Sequence, residues 1–345
     1  MKCRYCYGAF APDKTTFLSS NDASCLFAEL KRRGVQTVEL TGGEPTVNPY
    51  YDQILINACK NFKKVTVMTN AVILRQTTLE IYQKNKDKVG FSISLDGFSE
   101  ETNSYQRGVE HTFKQTINNI LLLKKEVDPY FFRIVYMLTN ENQEELEAFY
   151  DFMISHNILD IMASIPENIE KGRTYKLSDG CMMSDRNSES RKALDEKIRL
   201  LGDKYGNQIR NGFHRLGDRG MRIVNAIPSC GAGWTMLSFR ANGDVQPCNM
   251  MGVEWNLGNF KKDPSLSFLS TENPLYNAFT KINLSTENDN RKECLSCSYN
   301  RFCGRCINKL FMANKERLSR GEGFCPILLK TLIPRELFYQ KNVGL

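Results

Sequence analysis

Val35-Gln-Thr-Val-Glu-Leu-Thr-Gly-Gly-Glu-Pro45 is the stretch on which the reading of the fold turns. Val35 to Leu40 is a short β-rich run, and it passes directly into Thr41-Gly42-Gly43-Glu44-Pro45, which is turn chemistry. The arrangement recurs downstream. Val65 to Met68 is followed by Thr69-Asn70, and Phe91 to Leu95 by Asp96-Gly97. Phe131 to Leu138 and Ile158 to Ile165 are two more β-rich runs. Amphipathic helical patterns lie between them, such as Ala23 to Arg33 and His111 to Lys125, the latter with apolar Ile117, Ile120, Leu121 and Leu123. Strands alternating with helices predict parallel βαβ units, hence an α/β barrel or open sheet. In a barrel of this kind the chemistry sits at the C-terminal ends of strands, where Gly-Gly-Glu-Pro, Thr-Asn and Asp-Gly all fall.

Composition sets the class. The chain has 345 residues, 41% hydrophobic and 25% charged, a globular mix with room for one large domain and a smaller one. No apolar run approaches the roughly 18 residues of a membrane span, and the opening MKCRYCYGAF lacks a signal-peptide core. A cytoplasmic location with no membrane contact is therefore expected. The net charge of +7 is concentrated in residues 291–345, where eleven Lys and Arg face four Asp and Glu. These basic residues are scattered among cysteines and apolar positions, which fits a solvated face or compensation of anionic clusters better than a nucleic-acid interface.

Twelve cysteines in a chain with no secretion signal point to metal or redox chemistry rather than disulfides. Cys25, Cys59 and Cys181 stand alone and read as small core or surface residues. Cys3-Arg-Tyr-Cys6-Tyr7 puts two thiolates on one short turn, a spacing that suits a chelate but also half a zinc site or a redox pair. In context it resembles the end of the radical S-adenosylmethionine (SAM) signature C-x-x-x-C-x-x-C-Y. The resemblance implies a [4Fe–4S] cluster held by three thiolates, its fourth iron binding the amino and carboxylate groups of SAM. The first cysteine of that pattern would stand two positions before Met1. It and the first barrel strand are expected upstream; the alternative is a degenerate, non-catalytic relative.

The remaining sites follow from the same resemblance. Gly42, Gly43, Glu44 and Pro45 match the family segment that binds the SAM methionine amino group, and Gly42 lies 36 positions after Cys6, about a helix plus a strand. Thr69, Asn70, Ser94 and Asp96 would line the SAM ribose and methionine carboxylate, and Arg133 would grip the carboxylate through its guanidinium fork. Read without the family, each is a strand-end turn or a surface charge.

Cys230-x12-Gly243-x4-Cys248, Cys294-x2-Cys297-x5-Cys303-x2-Cys306 and Cys325 resemble the SPASM domain that extends many radical SAM enzymes acting on peptides and proteins. The family pattern has three residues where Cys303 and Cys306 enclose two. The resemblance implies an auxiliary cluster on Cys294, Cys297, Cys303 and Cys325 and another on Cys230, Cys248 and Cys306, with His214 or a substrate thiolate as candidates for its open position. A zinc ribbon would use four of the seven cysteines and leave three unexplained.

The predicted organisation is a partial (β/α)6 TIM-like barrel over 1–166, a mostly helical bridge over 167–225 with an exposed turn at 184–192, and a SPASM domain with a C-terminal helix over 226–345. Met236 to Cys248 reads as a hairpin turning at Asn242-Gly243-Asp244. The implied activity is reductive cleavage of SAM to a 5′-deoxyadenosyl radical and hydrogen abstraction from a peptide or protein. A thioether or carbon–carbon cross-link is the expected product, and a flavodoxin or ferredoxin the expected electron donor. Sulfatase maturation is the second reading, weakened because Asn249 replaces the Asp that such maturases use as a base. A non-catalytic cysteine-rich metal module is the third.

Overall fold

The computed structural model describes residues 3–6, 16–139, 141–164, 189–206, 208–209, 231–287 and 321. The chain divides into two compact units, Met1–Gly217 and Asp218–Leu345. In the first, five parallel strands run β1 (Thr37–Leu40), β2 (Lys64–Thr69), β3 (Val89–Ser94), β4 (Phe131–Met137) and β5 (Asp160–Ser164). Their order in the sheet is their order in the chain. A doubly wound sheet reverses direction at a switch point, whereas a barrel wall adds each strand beside the last, so this order is that of a barrel wall.

Local signals explain the elements. Helix α1 (Ser20–Arg32) is capped by Ser19, whose Oγ accepts from Asp22 N at 3.1 Å, and it buries Ala23, Leu26, Phe27 and Leu30 along one stripe. Helices α2 (Tyr51–Asn61) and α3 (Gln76–Lys84) follow β1 and β2. β3 carries two helices behind it, α4 (Glu100–Arg107) and α5 (Phe113–Glu126). Ser99 caps α4 through Thr102 N at 3.2 Å, and Gly108 ends it at φ 63°, the left-handed geometry that glycine tolerates. Helix α6 (Leu146–Ser155) follows β4. On α5 only Thr116, Ile120 and Leu123 are buried, so Ile117 and Leu121 sit at the edge of the apolar stripe.

The central strand β3 is buried on both faces up to its last residue, as a covered parallel strand should be, while β2 and β4 alternate. Val65, Val67, Phe91, Ile93, Phe132, Ile134 and Tyr136 form the core face. The opposite face carries Met68, Ser92, Arg133 and Asp160 in one register row and Ser94, Val135 and Met162 in the next.

Helix α7 (Glu189–Tyr205) begins inside the stretch 184–192 whose composition predicts an exposed turn; from Glu189 onward that stretch is helical. Ring stacking and ion pairs tie it to α6 and to the turn before α6. Tyr205 stacks on Tyr150 at 5.7 Å and its hydroxyl donates to Asp151, while Lys197 and Lys204 pair with Glu144 and Glu147 at 2.7 Å. This part of the expected bridge thus packs as the continuation of the first unit.

In the second unit, β6 (Ser238–Phe239), β7 (Asp244–Gln246) and β8 (Gly258–Asn259) form a small antiparallel sheet, and a helix spans Pro274–Glu287. The β6–β7 hairpin turns at Asn242-Gly243, as its sequence predicts. Gly243 has φ 97°, and a Cβ there would lie 2.4 Å from Asn259 Oδ1, so both the backbone and the space exclude a side chain. Among the described residues no helix is long and apolar enough to cross a membrane.

Candidate functional site at the strand ends

The turn after β1 is open on one side and tied down on the other. Thr41, Gly42 and Gly43 are exposed, and a Cβ built on Gly42 would meet no atom within 4 Å. Glu44, in contrast, is fully engaged. Its Oε1 accepts from Thr46 N at 3.2 Å, Thr46 Oγ1 at 2.8 Å and Thr69 Oγ1 at 2.7 Å, and its Oε2 accepts from Asn70 N at 2.8 Å. Glu44 also caps the short 3₁₀ turn Pro45–Val47, with Pro45 at its first position. The carboxylate therefore locks the end of β1 to the end of β2, and what faces open space is the backbone of the two glycines.

Thr69 and Asn70 are brought to the same end. Asn70 Oδ1 accepts from Val72 N at 2.9 Å, and Ala71 between them holds φ 53° while nearly buried. A left-handed alanine costs about 1 kcal/mol, so the turn must be held from outside. Helix α5 does this: Asn119 Nδ2 donates to Ala71 O at 2.8 Å and Thr116 Oγ1 to Asn70 O at 3.2 Å.

Ser94 ends β3, half-exposed on the open sheet face. Asp96 is buried: Oδ1 accepts from Met137 N at 3.0 Å, and Oδ2 lies 2.6 Å from Arg107 Nε in an ion pair. Asn142 braces this corner, donating Nδ2 to Asp96 O and Met137 O, and accepting from Thr139 N, all at 2.8 Å. Arg133 shares the open face with Ser94 but stands one register row nearer the strand N-termini. Its Nε and Nη2 reach Asp160 Oδ1 and Oδ2 at 2.8 and 3.2 Å, so its fork is taken up by a carboxylate of this chain.

The cysteine turn sits against the last turn of α4. Cys6 N donates to Cys3 O at 3.3 Å, closing the turn that carries both thiols, each half-buried. Three consecutive α4 residues hold it. The Arg4 guanidinium lies 4.0 Å over the Tyr105 ring, Arg4 N donates to Gln106 O at 3.1 Å, and Arg107 Nη1 reaches Cys3 Sγ at 3.7 Å. The Tyr5 hydroxyl is buried beside Asp96 and Arg107; burial first, then the charge of Asp96, pushes its pKa well above the ordinary tyrosine range. Arg107 is held cationic: burial works against the charge, but Asp96, Tyr5 and Cys3 together more than offset it.

Two thiols on one turn beside a buried guanidinium suit part of a cluster's anionic ligand set, and the bare glycine shelf leaves room for a small molecule next to Glu44. Among the described residues no three His, Cys, Asp or Glu converge as a metal site. Cys248 follows the β6–β7 hairpin; its Sγ accepts from Met250 N at 3.4 Å, a contact of the kind that steadies metal-bound thiolates, and Arg240 Nη2 holds Asn249 O at 3.0 Å. Cys230, Cys294, Cys297, Cys303, Cys306, Cys325 and His214 lie outside the described residues. Of the isolated cysteines, Cys25 is exposed and Cys59 is buried in α2, where burial pushes its thiol up to about 11.

Sequence reading missed Arg107, Gln106, Asn119 and Asn142. A basic residue in a helix's last turn reads as an ordinary dipole partner, and nothing in the local pattern shows that this one faces Cys3 across 104 positions. Only the Arg-Gly pair at 107–108, at the end of the helix that follows Asp96-Gly97, offered a signal.

Comparison with known proteins agrees with this geometry. The Radical SAM superfamily profile matches residues 1–153, and the SPASM iron–sulfur cluster-binding domain profile matches residues 230–298. The chain is 26% identical over 324 residues to the antilisterial bacteriocin subtilosin biosynthesis protein AlbA of Bacillus subtilis, covering 91% of this chain and 66% of that protein. It is 25% identical over 276 residues to the sporulation killing factor maturation protein SkfB of the same organism, covering 76% of this chain and 60% of that one. The chain thus spans just under two thirds of the length of these relatives. The crystal structure of Streptococcus suis SuiB bound to precursor peptide SuiA superposes with a TM-score of 0.67 at 23% identity, over 90% of this chain and 70% of that one. Strand order, cysteine turn and both profile matches converge: residues 1–153 match the radical SAM superfamily, and residues 230–298 match the SPASM iron–sulfur cluster-binding domain.

Proposed function

We propose that the chain is a peptide maturase that uses SAM-dependent radical chemistry to form a thioether or carbon–carbon cross-link in a ribosomally made precursor. The observation that carries the reading is the cysteine turn held by α4 at the strand ends that also carry the glycine shelf and Ser94. The SPASM match and the likeness to AlbA and SkfB, whose names record bacteriocin biosynthesis and killing-factor maturation, support a peptide as substrate.

When bound, the cluster and SAM supply a radical able to remove a hydrogen atom from the substrate. The protein's own part is placement. Cys3 and Cys6 offer thiolates to iron. The backbone at Gly42 and Gly43 receives the SAM amino group, and Glu44 keeps that shelf in register with Thr69 and Asn70. Ser94 offers a hydroxyl on the open face. Asp96 acts through Arg107, and Arg133 stiffens the barrel wall through Asp160. Cys230, Cys248 and Cys306 would hold one auxiliary cluster and Cys294, Cys297, Cys303 and Cys325 the other, and a flavodoxin- or ferredoxin-type donor provides the electron. Sulfatase-type oxidation is disfavoured by Asn249, whose amide cannot accept a proton as a carboxylate would.

The test is anaerobic iron–sulfur reconstitution followed by incubation with SAM, dithionite and a cysteine-containing precursor peptide. The reading requires a brown protein, 5′-deoxyadenosine in the products and a peptide that has lost two hydrogens. A colourless, zinc-loaded protein would sink it, and formylglycine in place of a cross-link would select the second reading.

A further inference from the structure

We propose that Arg107 is a positioning residue that sets the reduction potential of the iron–sulfur cluster at Cys3 and Cys6, with Asp96 as the counter-charge that aims it. The proposal rests on the cluster reading above and goes beyond it.

Four observations carry the argument. The Arg107 and Asp96 side chains are only 8% and 3% exposed, so this is an ion pair inside the protein, where a charge acts on its surroundings with little screening. The pair is oriented: Nε faces Asp96 at 2.6 Å while Nη1 faces Cys3 Sγ at 3.7 Å, which turns the positive end toward the thiol. Nη2 is buried with no hydrogen-bond partner among the described residues. A buried guanidinium N–H is costly to leave unmatched, and a cluster sulfide beside the Cys3 thiolate is an acceptor of the right charge. Finally, the loop has anchors besides this contact, because Arg4 N donates to Gln106 O and the Arg4 guanidinium lies over Tyr105.

One-electron reduction adds negative charge to the cluster. N–H donors and a cation at the sulfurs stabilise that reduced state more than the oxidised one and raise the potential. Asp96 moderates the effect and fixes its direction. Its removal alone leaves the guanidinium uncompensated and raises the potential further; removal of both charges lowers it.

The experiment is an EPR-monitored redox titration of the reconstituted full chain. A Cys3→Ala/Cys6→Ala variant supplies the baseline from iron bound elsewhere. In Asp96→Asn/Arg107→Gln, where a neutral pair replaces the charged one, we expect the Cys3/Cys6-dependent iron to remain. The reduced-to-oxidised ratio at a given poise should fall about tenfold, a shift of about 59 mV for a one-electron couple. Arg107→Lys, which keeps the charge and loses the fork, should give a smaller fall, and Asp96→Asn alone a rise. Iron retained with a ratio within twofold of wild type in the double variant overturns the proposal. If the double variant loses the iron, Arg107→Lys decides: a lowered ratio supports the proposal, an unchanged ratio or loss of iron there as well leaves a purely structural salt bridge and overturns it. If wild type holds no more iron than Cys3→Ala/Cys6→Ala, the cluster reading itself fails, an outcome distinct from an unmoved potential.

Discussion

Replacing Glu44 with Gln separates two ways in which the Gly-Gly-Glu-Pro segment can serve the site. The carboxylate accepts four hydrogen bonds, two of them across 25 and 26 positions to the end of β2. Glutamine has one acceptor oxygen. Three donors converge on Oε1, so the amide oxygen takes that place and its NH2 faces the Asn70 N–H, which is also a donor. The lost bond to a charged acceptor is worth about 2 kcal/mol, and the opposed donors and the weakened remaining bonds bring the total to about 3 kcal/mol. For a unit of roughly 200 residues, at about 3 °C per kcal/mol, the melting temperature should fall by roughly 9 °C. Calorimetry on the metal-free protein reads this. The Asn70 amide should also exchange with deuterium roughly 30-fold faster, the counterpart of about 2 kcal/mol in local opening. If Glu44→Gln melts within about 1 °C of wild type while SAM binding collapses, the carboxylate is a direct ligand contact and the strut reasoning is wrong.

Other consequences are as specific. Asn142→Ala removes three 2.8 Å hydrogen bonds at a fully buried position and should destabilise the first unit by about 3 kcal/mol, read from its urea midpoint; a loss under about 1 kcal/mol would mean water replaces the side chain there. Ala71→Gly relieves the left-handed backbone at φ 53° but loosens the unfolded chain, so its melting temperature should stay within about 3 °C of wild type, whereas Ala71→Val should lower it by more than about 6 °C. Arg133→Met, which leaves the half-buried Asp160 unpaired, should cost about 1 to 2 kcal/mol in stability yet leave SAM affinity within about twofold. A tenfold loss of SAM affinity in that variant would put Arg133 in the SAM site.

The architecture was legible along the chain because each β-rich run is closed by its own turn chemistry. Val35 to Leu40, Val65 to Met68 and Phe91 to Leu95 all became strands of one sheet, and the turns after them gathered at one end because parallel strands joined by helices allow no other arrangement. Residues 184–192 are less legible, because a run of polar residues describes an exposed surface without saying whether the backbone beneath is a turn or, as from Glu189 onward, the start of α7. Ancestry was legible for a different reason: metal chelation ties residue type to short spacing, and Cys3-x2-Cys6 or Cys230-x12-Gly243-x4-Cys248 survives as a pattern in one dimension.

What only the tertiary structure decided is the division of labour among the polar residues. Glu44 and Asp96 stand in a row of motif positions that the family resemblance assigns to SAM, yet both carboxylates have partners within the protein, Glu44 at the end of β2 and Asp96 in Arg107. Arg133, the arginine that a sequence reader would choose, is held by Asp160, while Arg107, which looks like a helix end, reaches Cys3. A hydrogen bond is satisfied by whichever partner folding brings within about 3 Å, and those partners lie far apart along the chain. The sequence by itself determined which chemistry this protein can host; the packing of α4 beside the end of β3 and the pairing of β4 with β5 decided which charged side chains already have partners inside the fold.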